Sequence, residues 1–291
     1  MKRPFSAIGV VHLPPLLGAP ESTAQNPLFV LEAAGRRAIE EARMLERLGY
    51  SGVVIENFGD APFFKDRVPP ETIAAMTLIV GAVREAVSFP VGVNVLRNDA
   101  RAALAIAVAT GADFIRVNIL SGVTATDQGV IEGEAATLLR ERARLGSSVA
   151  ILADVHVKHG RSLSSDSLSL AIEETGLRAG ADGVILSGAT TGRPVSDEDL
   201  ETAQGAALAL DIPLYIGSGV DAASLTRYLG KVDGVFIGTA LKRNGQAGET
   251  LDRVRARNFM KVCKTLQKPP KKRQTQKRKK KKKTSTRKTK Q

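Results

Sequence analysis

The chain has one cysteine, no tryptophan and no long hydrophobic run. A lone cysteine, Cys263, excludes an intramolecular disulfide and a zinc site built from several cysteines. The apolar stretch 102–112 is shorter than the ~18 residues that a transmembrane helix needs and contains Thr110 and Gly111. The start, Met1-Lys2-Arg3-Pro4, leads into a strand-like segment without the apolar stretch typical of a signal peptide. These absences predict a soluble, cytoplasmic protein with no transmembrane segment.

Acidic residues are absent from the C-terminal end. The segment 264–291 holds fifteen of the 42 Lys and Arg residues and none of the 30 Asp and Glu residues. Residues 1–263 therefore hold 27 basic and 30 acidic side chains, a net charge of −3 that excludes a global field attracting nucleic acid. We predict one domain over 1–263 and a disordered Lys-rich tail over 264–291, because so few apolar residues cannot offset the entropy of ordering. The tail either binds polyanions (nucleic acid or acidic lipid) or has no role.

The body of the 291-residue chain, 43% hydrophobic overall, alternates short apolar runs with longer Ala-, Leu-, Glu- and Arg-rich segments. Nearly continuous apolar runs are typical of parallel strands covered on both faces. Strands are predicted at Ala7–Val11, Gly52–Ile55, Val91–Val93, Phe114–Val117, Ala150–Val155, Gly183–Leu186, Leu214–Ile216 and Gly234–Ile237. Helices are predicted at Pro27–Leu48, Glu71–Val87, Asp99–Thr110, Glu134–Leu145, Asp166–Ala179, Ser196–Ala209 and Asp221–Leu229.

Eight strands alternating with helices over about 250 residues predict an α/β fold, a (β/α)₈ TIM barrel. A doubly wound open sheet is the alternative. That fold usually carries a glycine-rich fingerprint after its first strand, and the sequence has none there. Walker motifs, a Ser-His-Asp signature and Cys/His zinc spacing are also missing.

Glycines follow the last two predicted strands, at Gly217-Ser218-Gly219 and at Gly238-Thr239. Glycine lets backbone N–H groups approach an anion closely, and the helix predicted from Asp221 would add the positive end of its dipole. Loops at these positions of a barrel commonly bind phosphate. We therefore expect a small phosphorylated ligand here; tight turns without a ligand are the alternative.

The fifth predicted strand runs into Asp154-Val155-His156-Val157-Lys158. In a strand, alternate side chains share a face, so Asp154, His156 and Lys158 are expected to point into one cavity at the barrel mouth. A carboxylate, an imidazole and an amine suit proton transfer, and Asp154 with His156 are candidate ligands of a divalent metal. The alternative is a structural ion pair between Asp154 and Lys158.

Other predicted strands also end in polar residues, which would meet at the same rim of a barrel. His12 ends the first strand and is as consistent with a structural role as with a functional one. Each of the others also has a structural interpretation: Asn94 as a loop cap, for example, or Arg116 as an ion-pair partner inside the barrel. Their shared location nevertheless favours a functional role for the set, with Asn94, Arg116, Asn118, Ser187 and Thr190 binding the substrate or its phosphate, beside Glu56.

The segment 120–133 is long for a loop between a barrel strand and the next helix. It contains Gly122, Gly129 and Gly133, which favour mobility. The segment is interpreted either as a lid over the mouth or as a plain surface insertion.

Several motifs together resemble the BtpA/SgcQ family over roughly residues 5–260. They are Gly9–Leu16 (GVVHLPPL), Glu56–Phe63 (ENFGDAPF), Asp127–Gly133 (DQGVIEG), Asp154–His159 (DVHVKH) and Ser187–Gly192 (SGATTG). The resemblance implies a phosphate-binding barrel. In one branch it implies a role in biogenesis or stability of photosystem I at the periphery of a membrane, and in another an association with sugar-phosphate genes. The Lys-rich tail has no counterpart in this pattern.

These observations predict an enzyme acting on a small phosphorylated metabolite as an isomerase, lyase or hydrolase. The glycine loops would hold the phosphate, Asp154 and His156 would bind metal or transfer protons, and Glu56 would be a second carboxylate. Lys158 would stabilise developing negative charge; a Schiff-base role would need a depressed pKa. The alternative function is a non-catalytic biogenesis or stability factor for a membrane complex.

Overall fold

Eight parallel strands form a closed barrel in the computed structural model, which describes residues 3–22, 26–164, 167–188 and 194–267. The predicted TIM barrel is thereby confirmed. Around the barrel the strand order is β1-β11-β10-β9-β7-β4-β3-β2. The barrel strands are β1 (Ser6–His12), β2 (Gly52–Glu56), β3 (Val91–Asn94), β4 (Phe114–Val117), β7 (Ala150–Val155), β9 (Gly183–Leu186), β10 (Leu214–Ile216) and β11 (Gly234–Ile237).

Helices connect most consecutive barrel strands, as predicted. They are α1 (Pro27–Leu48), α2 (Pro70–Ala86), α3 (Ala100–Thr110), α4 (Ala135–Arg144), α5 (Leu168–Glu173, continued by a π-helical turn Glu174–Arg178), α6 (Asp197–Ala209) and α7 (Arg253–Leu266). Expected caps are present: Asp99 accepts from the Ala102 N–H and Ser196 from the Asp199 N–H, while Gly49 and Gly111 end α1 and α3 in the left-handed region. Asp166, the predicted cap of the fifth helix, lies outside the described residues.

The helix predicted over Asp221–Leu229 is wrong. Asp221 does accept hydrogen bonds from the N–H groups of Ala223 and Ser224, as a cap would. However, only a 3₁₀ turn, Ser224–Arg227, follows, and Gly230 then takes a left-handed φ of 85°. In an Asx turn, an aspartate side chain accepts from the same backbone N–H groups as in a helix N-cap. An aspartate at position 221 therefore does not distinguish the two structures.

The barrel interior is apolar below and polar at the mouth. Ile8, Val10, Val54, Phe114, Leu152, Ile185 and Phe236 form a cluster separate from the larger core. The larger core includes buried residues of the helices, such as Leu45 of α1 and Met76 of α2. Because side chains alternate along a strand, the next inward positions after Val10 and Val54 are His12 and Glu56. The polar residues at the strand ends therefore rest on a packed apolar floor.

The segment 120–133 forms an antiparallel hairpin of β5 (Val123–Thr126) and β6 (Gly129–Glu132), and β8 (Gly160–Ser162) pairs with β5. Its glycines serve this geometry: Gly129 has φ 102° at the hairpin turn, and a Cβ on Gly133 would collide with the backbone of Ser121. The hairpin tip carries Asp127, which lines the barrel mouth.

Helix α7 closes the described part of the chain. Its buried residues include Phe259 and Cys263, and the Nζ of Lys264 donates to the Leu48 carbonyl at 3.1 Å. The helix thus continues to Leu266, three residues beyond the domain boundary predicted at 263. From residue 268 onward the predicted tail lies outside the described residues.

Candidate active site at the barrel mouth

A cavity of about 530 Å³ lies at the carboxyl ends of the barrel strands. Candidate residues at the ends of seven of the eight barrel strands line this cavity; the exception is β9. The lining includes His12, Glu56, Phe58, Phe63, Asn94, Arg97, Arg116, Asn118, Asp127, Lys158, Gly217, Ser218, Gly219, Gly238 and Thr239. Ser187 is buried beside it, and Thr190 lies outside the described residues.

Arg116 and Asp154 form a buried bidentate ion pair inside the barrel. Nε and Nη2 of Arg116 each lie 2.9 Å from an oxygen of Asp154. The same carboxylate accepts hydrogen bonds from Asn118 Nδ2 at 3.0 Å and Ser187 Oγ at 3.3 Å. Burial alone would lower the pKa of Arg116. The carboxylates of Asp154 and Glu56 outweigh this effect and raise the pKa above its ordinary value. Asp154 is thus occupied as an anchor for Arg116, and the alternative interpretation, an ion pair between Asp154 and Lys158, is not found among the described residues.

Glu56 is a buried carboxylate that lines the cavity at the end of β2. Its Oε1 accepts from Asn94 Nδ2 at 3.0 Å and from Arg116 Nη1 at 3.3 Å. Its Oε2 lies 3.7 Å from Nε2 of His12. Asn94 and Arg116 therefore fix one oxygen of Glu56 and leave the other directed towards His12.

His12 is held as a neutral imidazole. Burial, and after it the positive charges of Lys242 and Lys158, hold the pKa of His12 well below its ordinary value. The Gly248 N–H donates to Nδ1 at 3.4 Å, which assigns the proton to Nε2 on the Glu56 side. The ring stacks on Phe58 with centroids 4.3 Å apart. His12 thus combines a fixed tautomer with a fixed ring orientation.

The expectation that Asp154, His156 and Lys158 share one cavity is wrong. Strand β7 ends at Val155, and His156 takes a left-handed φ of 51°, which breaks the alternation. His156 lines a different, smaller cavity beside Ser121 and Thr175, and its buried Nε2 has no hydrogen-bond partner among the described residues.

Lys158 does line the mouth cavity. Burial, and after it the guanidinium of Arg116, lowers the pKa of Lys158. Among the described residues, its ammonium forms neither a hydrogen bond nor an ion pair.

The predicted metal site is not assembled by these residues. Asp154 and His156 both line the smaller cavity, but both oxygens of Asp154 are already taken by Arg116. Within the part of the chain that the structure describes, no three His, Cys, Asp or Glu side chains are grouped to hold a metal ion.

The glycine loops after β10 and β11 lie at the cavity wall. A Cβ on Gly217 would lie 2.6 Å from Ser187 Oγ and Ile185 Cγ2, so only glycine fits there. Gly219 takes a left-handed φ of 71°. Between them, Ser218 is buried and its Oγ has no hydrogen-bond partner among the described residues. No helix adds its dipole here, because the segment after Asp221 is a single 3₁₀ turn.

Two cationic residues of this region were missed by the sequence analysis. Arg97 is buried at the cavity wall; its Nη2 donates to the Lys158 carbonyl at 2.6 Å. It follows β3 by three residues, a position that could have indicated it. Lys242, four residues after Gly238, is fully buried against Glu41 at 3.0 Å. No sequence pattern pairs residues 201 positions apart, so this contact needed the fold.

Two motifs of the resemblance, Gly9–Leu16 and Glu56–Phe63, pack on one another. A Cβ on Gly59 would collide with the backbone of Pro14 and Pro15. Asp60 accepts from the Leu16 N–H at 2.8 Å and from Asn57 Nδ2 at 3.1 Å. The loops after β1 and β2 therefore form one unit that carries Phe58 and Phe63 to the cavity.

In the described ranges, no helix has the length and apolar character to cross a membrane.

Solved structures with a similar fold include phosphoribosyl anthranilate isomerase from Thermus thermophilus, with a TM-score of 0.53 and 12% identity over 89% of this chain and 99% of that one. A 3-hexulose-6-phosphate synthase matches with a TM-score of 0.52 and 14% identity over 88% and 99%. At these identities the likeness concerns the barrel fold.

Sequence relatives are much more similar. A protein of Synechocystis named photosystem I biogenesis protein BtpA is 49% identical over 88% of this chain and 86% of its own length. An uncharacterized protein of Methanocaldococcus jannaschii is 43% identical over 91% and 97%. An uncharacterized mitochondrial protein of Caenorhabditis elegans is 32% identical over 89% and 93%. The model of the BtpA family matches residues 3–265, and the chain therefore belongs to the BtpA family.

Proposed function

We propose that this chain is an enzyme acting on a small phosphorylated metabolite bound in the barrel mouth. The observation that carries the proposal is that one cavity holds glycine loops, the acid/base pair His12 and Glu56, and two cations, Arg97 and Lys158, that have no carboxylate partner among the described residues. The names of barrel neighbours that handle phosphorylated compounds, such as phosphoribosyl anthranilate isomerase, are consistent with this class.

The phosphate would bind the loops Gly217–Gly219 and Gly238–Thr239. Their backbone can approach a ligand closely. The buried hydroxyl of Ser218 has no hydrogen-bond partner among the described residues, and a phosphate oxygen would provide one. In the strand order, β3 lies opposite β10, and Arg97, three residues after β3, lines the same cavity as these loops. A dianion between the loops and Arg97 would bind with its charge compensated.

The reacting part of the ligand would lie between His12 and Lys158, since β1 and β7 are also opposite one another. Glu56 would remove or return a proton as the carboxylate base. His12, neutral with its proton on Nε2, would donate a hydrogen bond to an oxygen that gains negative charge. Lys158 and Arg116 would add positive charge around that oxygen. This arrangement suits isomerase, lyase or hydrolase chemistry that moves a proton beside a carbonyl.

Ser218→Ala tests the phosphate site without changing the backbone. Titration calorimetry with inorganic phosphate should show at least about tenfold weaker binding, since a hydrogen bond to a charged group contributes about 1.5–3 kcal/mol. Ser6→Ala is the matched control: Ser6 lies at the amino end of β1, away from the mouth, so this variant should bind phosphate as the unmodified protein does. Equal affinity of Ser218→Ala and Ser6→Ala would contradict the assignment.

The catalytic claim needs a separate test. A panel of phosphorylated sugars and hydroxy acids should include one that the protein converts and that Glu56→Gln converts at least about a hundredfold more slowly. The printed name of the Synechocystis relative favours a second function, that of a biogenesis factor. Ligand binding without turnover of any tested compound would favour this second function.

A further inference from the structure

Lys158 occupies the barrel mouth in an unusual backbone setting. The residues His156 and His159 on either side of it take left-handed φ values of 51° and 55°. For residues other than glycine such values are strained, and they concentrate at functional sites. These two left-handed residues follow the end of β7 at Val155. The chain then forms β8, which pairs with β5.

Arg97 secures this segment. Its Nη2 donates to the carbonyl of Lys158 at 2.6 Å, so a buried guanidinium holds the main chain of the residue rather than its side chain. The Lys158 amine itself is half-buried and forms no hydrogen bond or ion pair with any residue in the described ranges. A structural lysine in such surroundings would pair with a carboxylate, as Lys242 does with Glu41.

Burial is the main factor that disfavours the protonated form of Lys158. Asp154, the carboxylate closest in sequence, is committed to Arg116 at 2.9 Å. Burial, and after it the guanidinium of Arg116, lowers the pKa of Lys158, although the carboxylates of Glu56 and Asp154 oppose this effect. An amine that is unpaired, fixed by its backbone and open to a cavity has the features of a nucleophile.

We propose that Lys158 forms a Schiff base with the carbonyl carbon of a phosphorylated aldehyde or ketone. This inference rests on the proposed function and specifies its substrate class. Glu56 in the same cavity takes a proton from the ammonium, and the free amine attacks the carbonyl carbon while the second C–O bond pair moves to oxygen. After a proton passes from nitrogen to that oxygen, Glu56 returns its proton and water leaves. An ammonium and a carbonyl thus give a protonated imine and water, with no other reactant.

The full chain can be tested by reductive trapping. The protein is incubated with dihydroxyacetone phosphate or glyceraldehyde 3-phosphate and sodium cyanoborohydride, and the modified lysines are mapped by mass spectrometry of peptides. Labelling of Lys158 should exceed that of the exposed Lys65 and Lys231 at least tenfold. Inorganic phosphate should suppress it, and dihydroxyacetone without phosphate should label Lys158 at least tenfold less.

Lys158→Arg separates the covalent role from a purely electrostatic one. It keeps the positive charge, so inorganic phosphate should bind within about threefold of the unmodified protein, whereas trapping at this position is lost. Lys158→Met, checked for folding by circular dichroism, provides a second variant if the larger arginine disrupts the mouth.

The outcomes distinguish the two proposals. Binding of phosphate together with Lys158 labelling no greater than that of Lys65 would overturn the Schiff base and leave the phosphate site intact. Failure of the unmodified protein to bind inorganic phosphate or either phosphorylated carbonyl compound would overturn the proposed function, and the Schiff base with it.

Discussion

Two ion clusters of the barrel differ in position, and only one of them lines the mouth cavity. In the mouth cluster, Arg116 joins Asp154 and Glu56 inside the barrel, and Glu56 and Arg116 line the cavity. In the rear cluster, Lys242 and Arg37 both pair with Glu41 on α1, behind the loop that follows β11. Glu41 and Lys242 of the rear cluster are buried, the side chain of Arg37 is 22% exposed, and none of the three lines the mouth cavity.

The difference shows how similar chemistry serves two purposes. Glu41 also accepts from the Leu251 N–H at 3.0 Å, and Arg37 donates to the Gly248 carbonyl at 2.6 Å. The rear cluster therefore fastens the 242–251 loop to α1. Because the Gly248 N–H holds Nδ1 of His12, this fastening also orients a residue of the site. The mouth cluster fixes charge where a ligand can meet it.

The largest effect is expected from breaking the mouth cluster. Asp154→Asn leaves the buried guanidinium of Arg116 without its bidentate partner and should destabilise the protein by about 3–5 kcal/mol, measured by urea denaturation. Asp197→Asn, which breaks an exposed pair with Arg227, is the control and should change stability little. A loss below about 1 kcal/mol in Asp154→Asn would show that the cluster does not hold the barrel interior together.

Breaking the rear cluster should cost less. Lys242→Met leaves Glu41 with Arg37 and the Leu251 N–H, so a loss of about 1–3 kcal/mol is expected in the same assay. NMR should show the pKa of His12 rising, because the Lys242 charge contributes to lowering it. Lys231→Met, on the exposed surface, is the control for both measurements. A loss larger than that of Asp154→Asn would reverse the comparison.

Acid should destabilise the protein through His12. The unfolded chain binds a proton at this imidazole with a pKa of about 6.5, whereas the folded pKa is well below that value. Stability is therefore unaffected by His12 above pH 6.5 and falls as the pH drops below it, by at most about 1.4 kcal/mol per pH unit. His12→Gln should remove this part of the slope between pH 7.5 and 5, measured by urea denaturation at each pH. Identical slopes in the two proteins would mean that His12 titrates normally.

The smallest effect on stability is expected from removing the Lys-rich tail. Fourteen of its fifteen basic residues lie beyond Gln267, whereas Lys264 belongs to α7 and contacts Leu48. Truncation after Gln267 should leave the melting temperature within about 1 °C and abolish salt-dependent binding to heparin or DNA. A truncated protein that unfolds, or that still binds these polyanions in low salt, would contradict a separable tail.

Most of the barrel was predictable because its signals are local. Apolar runs and glycine helix ends placed all eight strands, and the last five have the predicted bounds. The failures occur where local signals are ambiguous. Asp221 begins an Asx turn that looks like a helix cap, and the hairpin Val123–Glu132 gains its third strand from residues almost thirty positions away.

The residues that line the mouth cavity were predicted better than the pairs they form. Strand ends correctly indicated Glu56, Asn94, Arg116 and Lys158 as residues of one rim. Which carboxylate pairs with which cation depends on neighbouring strands. Asp154 contacts Arg116 because β4 and β7 are adjacent in the barrel. Lys158 is closer to Asp154 in sequence, and the sequence alone does not show that the two strands are neighbours.

The central claim is that the glycine loops and Ser218 bind the phosphate of the ligand. The most direct test is a crystal structure of the full chain soaked with inorganic phosphate. The account predicts phosphate in the mouth cavity, within hydrogen-bond distance of Ser218 Oγ and of the backbone N–H groups at Gly217–Gly219 and Gly238. Phosphate bound elsewhere with the mouth empty, at a concentration that saturates binding in solution, would contradict it.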